Sequence, residues 1–424
     1  MFKTRQKIAL SATKYCLFLH NQHLLTAEGW QPKILTMDFE MYLDPVPRKY
    51  VQGEKIVDGT LGKTVSIYTE GSDFPDLEGV HIAIFGVSED RGSSDNIGCA
   101  DAPNAIRHAF YQLFDHHEEI KIVDIGNIKP GQELSDTYFA VNQVMTALFK
   151  NKTMPIILGG SQDLTYAMYK VYEHTGQLVN IVAIDPMFDL GDDAEEINSH
   201  SYLSHVIMHK PSYLFNYTNI GYQTYYVSKK SVELMKQLLF DSYRLGSMKA
   251  NMELTEPLIR NGNILSIDMS AFRAADAPGV TNPSPNGFNG EDACRMTRYA
   301  GLSCKLSSLG FFEYNPHCDV NGQTAGLIAQ MLWYFIDGFS ARTNDFPTTE
   351  NREMFRHFYV QVSDIEEELE FLCHKMNGKW WMSFALPNTE KPQKHYIPCS
   401  KEDYQQAMND ELPDHWWQFY QKLM

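Results

Sequence analysis

Between His81 and Gly338 the chain repeats one arrangement: a short apolar run, a polar station, then a segment with helical spacing. Four runs set the pattern, namely Pro155 to Leu158, Val179 to Ile184, Ile264 to Ile267 and Leu306 to Phe312. Their apolar residues are continuous rather than alternating, which reads as strands covered on both faces and hence as a parallel sheet. Strand alternating with helix predicts a three-layer α/β/α domain with a mostly parallel central sheet, spanning residues 38–340.

Each of the four runs ends in a polar station. These are Gly159-Gly160-Ser161-Gln162-Asp163, Asp185-Pro186-Met187-Phe188-Asp189, Asp268-Met269-Ser270 and Glu313-Tyr314-Asn315-Pro316. The carboxyl ends of parallel strands line the ligand crevice of an open α/β sheet. Four such ends therefore predict one shared site. A pair of hard divalent ions there calls for several carboxylates and imidazoles. Gln162, Met187 and Ser270 stand where further ligands are expected.

Earlier in the chain, Ile82 to Val87 reads as a first strand, followed by the polar loop Ser88 to Ala102. Pro103 suits the first turn of a helix over Ala105 to Phe114. Lys121 to Ile125 reads as a second strand, and Ser135 to Phe149 as a helix. Residues 38–80 read as an irregular lead-in. Asp163 is expected to cap the helix that starts at Leu164. Further helices are expected at Ser231 to Leu239, Glu291 to Gly301 and Gln323 to Gly338.

Composition narrows the classes. A net charge of -17 excludes a generally basic surface for nucleic acid. There is no apolar run of about 18 residues, so no membrane span is expected. Seven cysteines, odd in number and with no CxxC pair, speak against a disulfide scaffold and fit a reducing cytoplasm. Residues 1–36 read as a weakly specified extension, with Met37 as the expected start. Lys3, Arg5 and Lys7 ahead of Ile8 to Leu19 resemble a signal peptide, but Lys14 interrupts the apolar stretch.

After Ser340 the character changes. Residues 341–353 read as a linker and 354–424 as an aromatic-rich C-terminal appendage, dense in pairs such as Trp380-Trp381 and Trp416-Trp417. Ser400-Lys401-Glu402-Asp403 has the form of a capped helix start. Aromatic pairs of this kind are expected to pack the appendage onto the main domain.

The ordered set of motifs resembles the ureohydrolase superfamily, which holds the arginases, agmatinases and formimidoylglutamases. Phe85-Gly86-Val87 through Gly98, Pro103 and Arg107 is similar to the family's opening strand, loop and helix. Gly159-Gly160 sits where the family has Gly-Gly-Asp-His, and Asp185 to Asp189 resembles its Asp-x-His-x-Asp. Leu265-Ser266-Ile267-Asp268 resembles Ser-x-Asp-x-Asp. Pro278-Gly279 with Gly290-Glu291 resembles the loop that follows, and Glu313 with Asn315-Pro316 the Glu-x-Asn-Pro strand end.

The resemblance implies a hydrolase of linear amidines, with two manganese ions and a bridging hydroxide that attacks a guanidinium-type carbon. It implies metal ligands at Asp185, Asp189, Asp268 and Gln162. Gln162 and Met187 replace histidines, and Ser270 replaces the last aspartate. Thioether sulfur does not serve a hard cation. The expectation is therefore at most one divalent ion, Mn or Mg, held weakly or not at all.

His200, after Asn198, resembles the family's proton-shuttling histidine; the alternative is a surface loop histidine beside His205. Glu313 resembles the carboxylate that grips the substrate's cationic nitrogen; the alternative is a helix cap. Two functions compete. One is C–N bond hydrolysis of a small guanidino or formimidoyl compound, formimidoylglutamase-like. The other is a non-catalytic member that retains the scaffold for binding or assembly. Arginase activity as such is not expected. The resemblance also implies a homo-oligomer.

Overall fold

The computed structural model describes residues 39–191, 196–365, 368–385 and 394–423. The expected extension at residues 1–36 lies outside the described residues. Two units are distinguished, one running from residue 34 to 342 apart from 236–239, the other including 343–424.

The larger unit is built on ten strands: β1 (Leu43–Asp44), β2 (Ser66–Ile67), β3 (Ile82–Val87), β4 (Ile122–Ile128), β5 (Met154–Leu158), β6 (Val179–Ile184), β7 (Leu214–Tyr222), β8 (Asp241–Arg244), β9 (Ile264–Asp268) and β10 (Ser308–Phe312). Their order is β1-β4-β3-β5-β10-β9-β6-β7-β8, with β2 beside β4. All neighbours run parallel except β1, which is antiparallel to β4. The four strands that carry the polar stations, β5, β10, β9 and β6, are consecutive in the sheet. Their stations therefore emerge side by side at one edge.

The apolar runs are explained by the two covers. Side chains of a strand alternate between faces. Ile82 and Ile84 of β3 join one hydrophobic core, while Ala83, Phe85 and Val87 join the other. Strand β6 divides in the same way, with Val182 and Ile184 on one side and Ile181 and Ala183 on the other. Helices fill both covers. Ala102–Phe110, with Pro103 in its first turn, and Gln323–Ser340 supply Ile106, Phe110, Leu332 and Phe335 to the first core. Leu134–Lys150 and Leu164–Lys170 supply Val141, Val144, Leu164 and Met168 to the second.

Three expectations shift. Residues 38–80 contain β1 and β2 rather than being wholly irregular. The second strand runs on through Gly126 and Asn127. Strand β8, Asp-Ser-Tyr-Arg, has no counterpart in the sequence reading, because an edge strand in a polar run carries no apolar signal.

The smaller unit holds a four-stranded antiparallel sheet, β11 (Phe355–Val360), β12 (Leu369–His374), β13 (Trp380–Ala385) and β14 (Lys394–Cys399), in that order. Helices at Lys401–Met408 and Asp414–Leu423 follow. The first begins with the expected capping box, Ser400 against Asp403. Trp381 packs with Phe355 and Leu372, and Trp416 donates its indole N–H to Ser383 O. Glu370 is fully buried on β12 and accepts from His357 Nδ1, Tyr359 OH and Arg352 Nη2.

Candidate functional site

The first station is shaped by two glycines. Gly159 and Gly160 follow β5 with φ of 74° and 78°, in the left-handed region that disfavours side chains. A Cβ at Gly160 would also meet Glu89 O at 2.8 Å. The turn therefore brings the next backbone close to the loop after β3 and presents Ser161 and Gln162.

Gln162 joins three strand ends. Its backbone N–H donates to Glu313 Oε1 (2.8 Å) beyond β10, and its Nε2 donates to Ser266 Oγ (3.2 Å) on β9. Asp163 occupies the first helical boundary, yet it does not cap. Its carboxylate accepts from Tyr138 OH, and no side-chain cap bond forms. Its own backbone is already helical (φ -54°, ψ -23°), so the carboxylate is not positioned over the free amides.

Asp185 and Asp189 follow β6 and face one another. Asp185 Oδ1 accepts from the Met187 N–H (2.6 Å), while Asp185 Oδ2 and Asp189 Oδ2 are buried with no hydrogen-bond partner. Asp268 ends β9 and accepts from the Ser270 N–H (2.7 Å). Burial drives the carboxyls of Asp185, Asp189, Asp268 and Glu313 well above the usual carboxylate range, and their mutual repulsion adds to the shift. Two of them, Asp189 (φ 50°) and Glu313 (φ 62°), sit on left-handed backbone without being glycine.

Glu313 is held on both oxygens. Besides Gln162, Asn96 donates its Nδ2 to Glu313 Oε2 (2.9 Å) and to Glu313 O (2.8 Å). Asn96 Oδ1 in turn accepts from Thr281 Oγ1 (2.6 Å) and Asn315 Nδ2 (3.1 Å). One buried amide thus links three loops. This residue was missed in the sequence, where it is a lone asparagine in a polar loop.

His200 stands at the solvent edge. Its Nδ1 lies 3.4 Å from Asp189 Oδ1 and its Nε2 3.6 Å from Asp95 Oδ1. Asn198 Oδ1 accepts from the His200 N–H (2.8 Å), which fixes the turn. His205 lies apart, on the helix Tyr202–Met208, with its ring edge-on to Tyr166.

These groups surround a cavity of about 140 Å³. Gln162, Met187, His200, Asp268, Ser270 and Glu313 line it, joined by Asp95, Asn96 and Tyr226. Of the six expected site residues, Gln162, His200, Asp268 and Glu313 line the cavity, while Asp189 lies beside lining His200 and Asp185 accepts from lining Met187. The donor set does not fit a two-manganese centre. Met187 offers only soft sulfur, and Ser270 Oγ is a neutral, unpartnered hydroxyl. Among the described residues, no three His, Cys, Asp or Glu side chains are arranged to hold a metal ion.

Comparisons with known proteins agree with this architecture. A sequence model described as the arginase family matches residues 80–337. A formimidoylglutamase of Staphylococcus aureus is 26% identical over 269 residues, 60% of this chain and 85% of that one. Among solved structures, Trypanosoma cruzi formiminoglutamase with Mn2+ superposes with a TM-score of 0.58 at 17% identity, covering 64% of this chain and all of the other. The Bacillus subtilis formimidoylglutamase gives 0.56 at 17% identity, covering 64% and 96%. A hypothetical agmatinase from Burkholderia thailandensis gives 0.55 at 18%, covering 63% and 88%.

Proposed function

Because this chain belongs to the arginase family, we propose that its cavity binds a small amidinium- or guanidinium-type cation, without the family's two-metal hydrolysis. The observation that carries this reading is the fixed carboxylate of Glu313, held by Asn96 and Gln162, with Asp268 lining the same cavity. A planar amidinium has several N–H donors and no acceptor, so buried carboxylates are its natural partners. Binding also supplies the positive charge that this crowded acidic wall lacks. Glu313 grips the cation, Asp268 faces it, and His200 closes the solvent side.

The same geometry argues against hydrolysis by a metal pair. When bound, such a pair supplies an activated hydroxide. The ligands for a second ion are missing at Met187 and Ser270.

A second reading is hydrolysis of a C–N bond in a guanidino or formimidoyl compound, with one divalent ion, Mn or Mg, at Asp185, Asp189, Asp268 and Gln162. It is favoured by the unpartnered oxygens Asp185 Oδ2 and Asp189 Oδ2. His200 is then the candidate proton carrier.

Two measurements on the purified chain separate the readings. Calorimetric titration with butylguanidine is expected to give saturable binding without added metal, and the absence of binding would overturn the first reading. Elemental analysis is expected to find no more than one divalent ion per chain. Two firmly held manganese ions, with release of urea or formamide from a substrate, would establish a hydrolase instead.

A further inference from the structure

We propose that Asn321-Gly322 is a site of spontaneous covalent modification, at which the folded chain closes to a succinimide and reopens to an aspartyl or isoaspartyl linkage. The proposal is independent of what the cavity binds. In the first step the backbone nitrogen of Gly322 bonds to Asn321 Cγ. The Cγ–Nδ2 bond breaks, and Nδ2 leaves as ammonia with the proton of the Gly322 N–H. Water then opens the ring on either side. Attack at Cγ gives aspartate, and attack at the backbone carbonyl of Asn321 routes the chain through the side chain as isoaspartate.

Ring closure is easiest where the following residue has no Cβ, its N–H donates to nothing, and the asparagine amide is not held. Five Asn-Gly pairs occur in the sequence, and folding restrains four of them. The Gly262 N–H donates to Ile259 O (3.0 Å), and Asn261 Oδ1 accepts from Lys305 Nζ (2.8 Å). The Gly378 N–H donates to His374 O (3.0 Å), and Asn377 Nδ2 donates to Asp345 Oδ2 (2.8 Å). Asn286 Nδ2 donates to Tyr225 OH (2.9 Å), and Gly287 is pressed against the chain, where a Cβ would meet the Arg273 nitrogen at 2.5 Å. Asn289 Oδ1 accepts from the Asp292 N–H (2.8 Å) in the capping box of the helix Gly290–Gly301.

The fifth pair is unrestrained. Among the described residues, neither the Asn321 side-chain amide nor the Gly322 N–H has a hydrogen-bond partner. Both residues are exposed, and a Cβ at Gly322 would meet nothing within 4 Å, so the ring has room to form. Closing it sacrifices no hydrogen bond of the fold. Gly322 also caps the start of the helix Gln323–Ser340, whose dipole favours the new carboxylate.

The full chain, folded and in urea, is held in warm, mildly alkaline buffer, digested, and read by peptide mass spectrometry with isoaspartate and aspartate separated. In the folded chain Asn321 is expected to convert at least tenfold faster than Asn261, Asn286, Asn289 or Asn377, with isoaspartate the larger product. In urea the five are expected to convert at similar rates. Asn321→Gln, which cannot close the same ring, is expected to remove the fast phase and leave the other four peptides unchanged. Equal rates for the five in the folded chain, or an Asn321 that outlasts any of the others, would overturn the proposal. An Asn321 lead that persists undiminished in urea would overturn it too, because folding would then not select the site.

Discussion

The side-chain amide of Asn96 and the carboxylate of Glu313 meet at 2.9 Å across 217 positions of sequence. Through this contact the loop after β3 fixes the acidic end of β10, and the same asparagine holds Thr281 and Asn315. Asn96→Ala leaves a buried carboxylate and a buried amide without their partner. Such losses cost about 1–3 kcal/mol. Urea unfolding should show a destabilisation of that order, and butylguanidine affinity should fall along with it. An unchanged midpoint and affinity would mean that Glu313 is held by Gln162 alone.

The metal deficit is attributed to three side chains and can be tested as a unit. Gln162→His, Met187→His and Ser270→Asp together supply imidazole and carboxylate beside Asp185, Asp189 and Asp268. The triple variant should retain more manganese per chain than the native protein after dialysis, read by elemental analysis. If it folds and retains no more, the four strand ends do not converge closely enough to share ions.

The tryptophans of the smaller unit separate by burial. Trp381 is 4% exposed and packs on Phe346, Phe355 and Leu372, whereas Trp417 is 45% exposed. Truncating a buried large aromatic typically costs about 3–5 kcal/mol, and an exposed change about 0.5 kcal/mol or less. Trp381→Ala should lower the unfolding midpoint of this unit strongly, and Trp417→Ala hardly at all. Similar effects from the two would contradict the packing described.

Lys305 gives a pH signature away from the cavity. Its Nζ donates to Asn261 Oδ1 (2.8 Å), and burial pulls its ammonium from 10.5 down to about 7. A base with a depressed folded value is penalised while charged. Unfolding therefore takes up a proton between about pH 7 and 10.5, and stability should rise with pH across that window. Lys305→Met removes the titration. The Tm advantage of Lys305→Met over the native chain should be largest near pH 7 and shrink towards pH 10. A gap independent of pH would show that the ammonium is solvated.

The parallel sheet was legible because strands covered on both faces must be apolar throughout, as β3, β5, β6 and β10 are. The site was legible through the order of its stations, since strand ends in one sheet share one edge. Other parts left no such trace. Asn96 acts through contacts that span more than two hundred positions, and a single asparagine in a polar loop has no periodicity to betray it. Among the described residues, strand β8 pairs only with β7, and it is half-exposed. In the smaller unit, Glu370 and His374 lie on a wholly buried strand, where a polar residue argues against a strand until its partners are known.

The left-handed backbone at Asp189 and Glu313 bears on how this chain changes over time. Each such non-glycine residue costs about 1–3 kcal/mol, and glycine would relieve the strain at either position without disturbing the sheet. A lineage maintained for its fold alone would gain stability by that replacement. Carboxylates placed at two such points lower folding stability, and binding of a cation in the proposed site is where that loss would be offset.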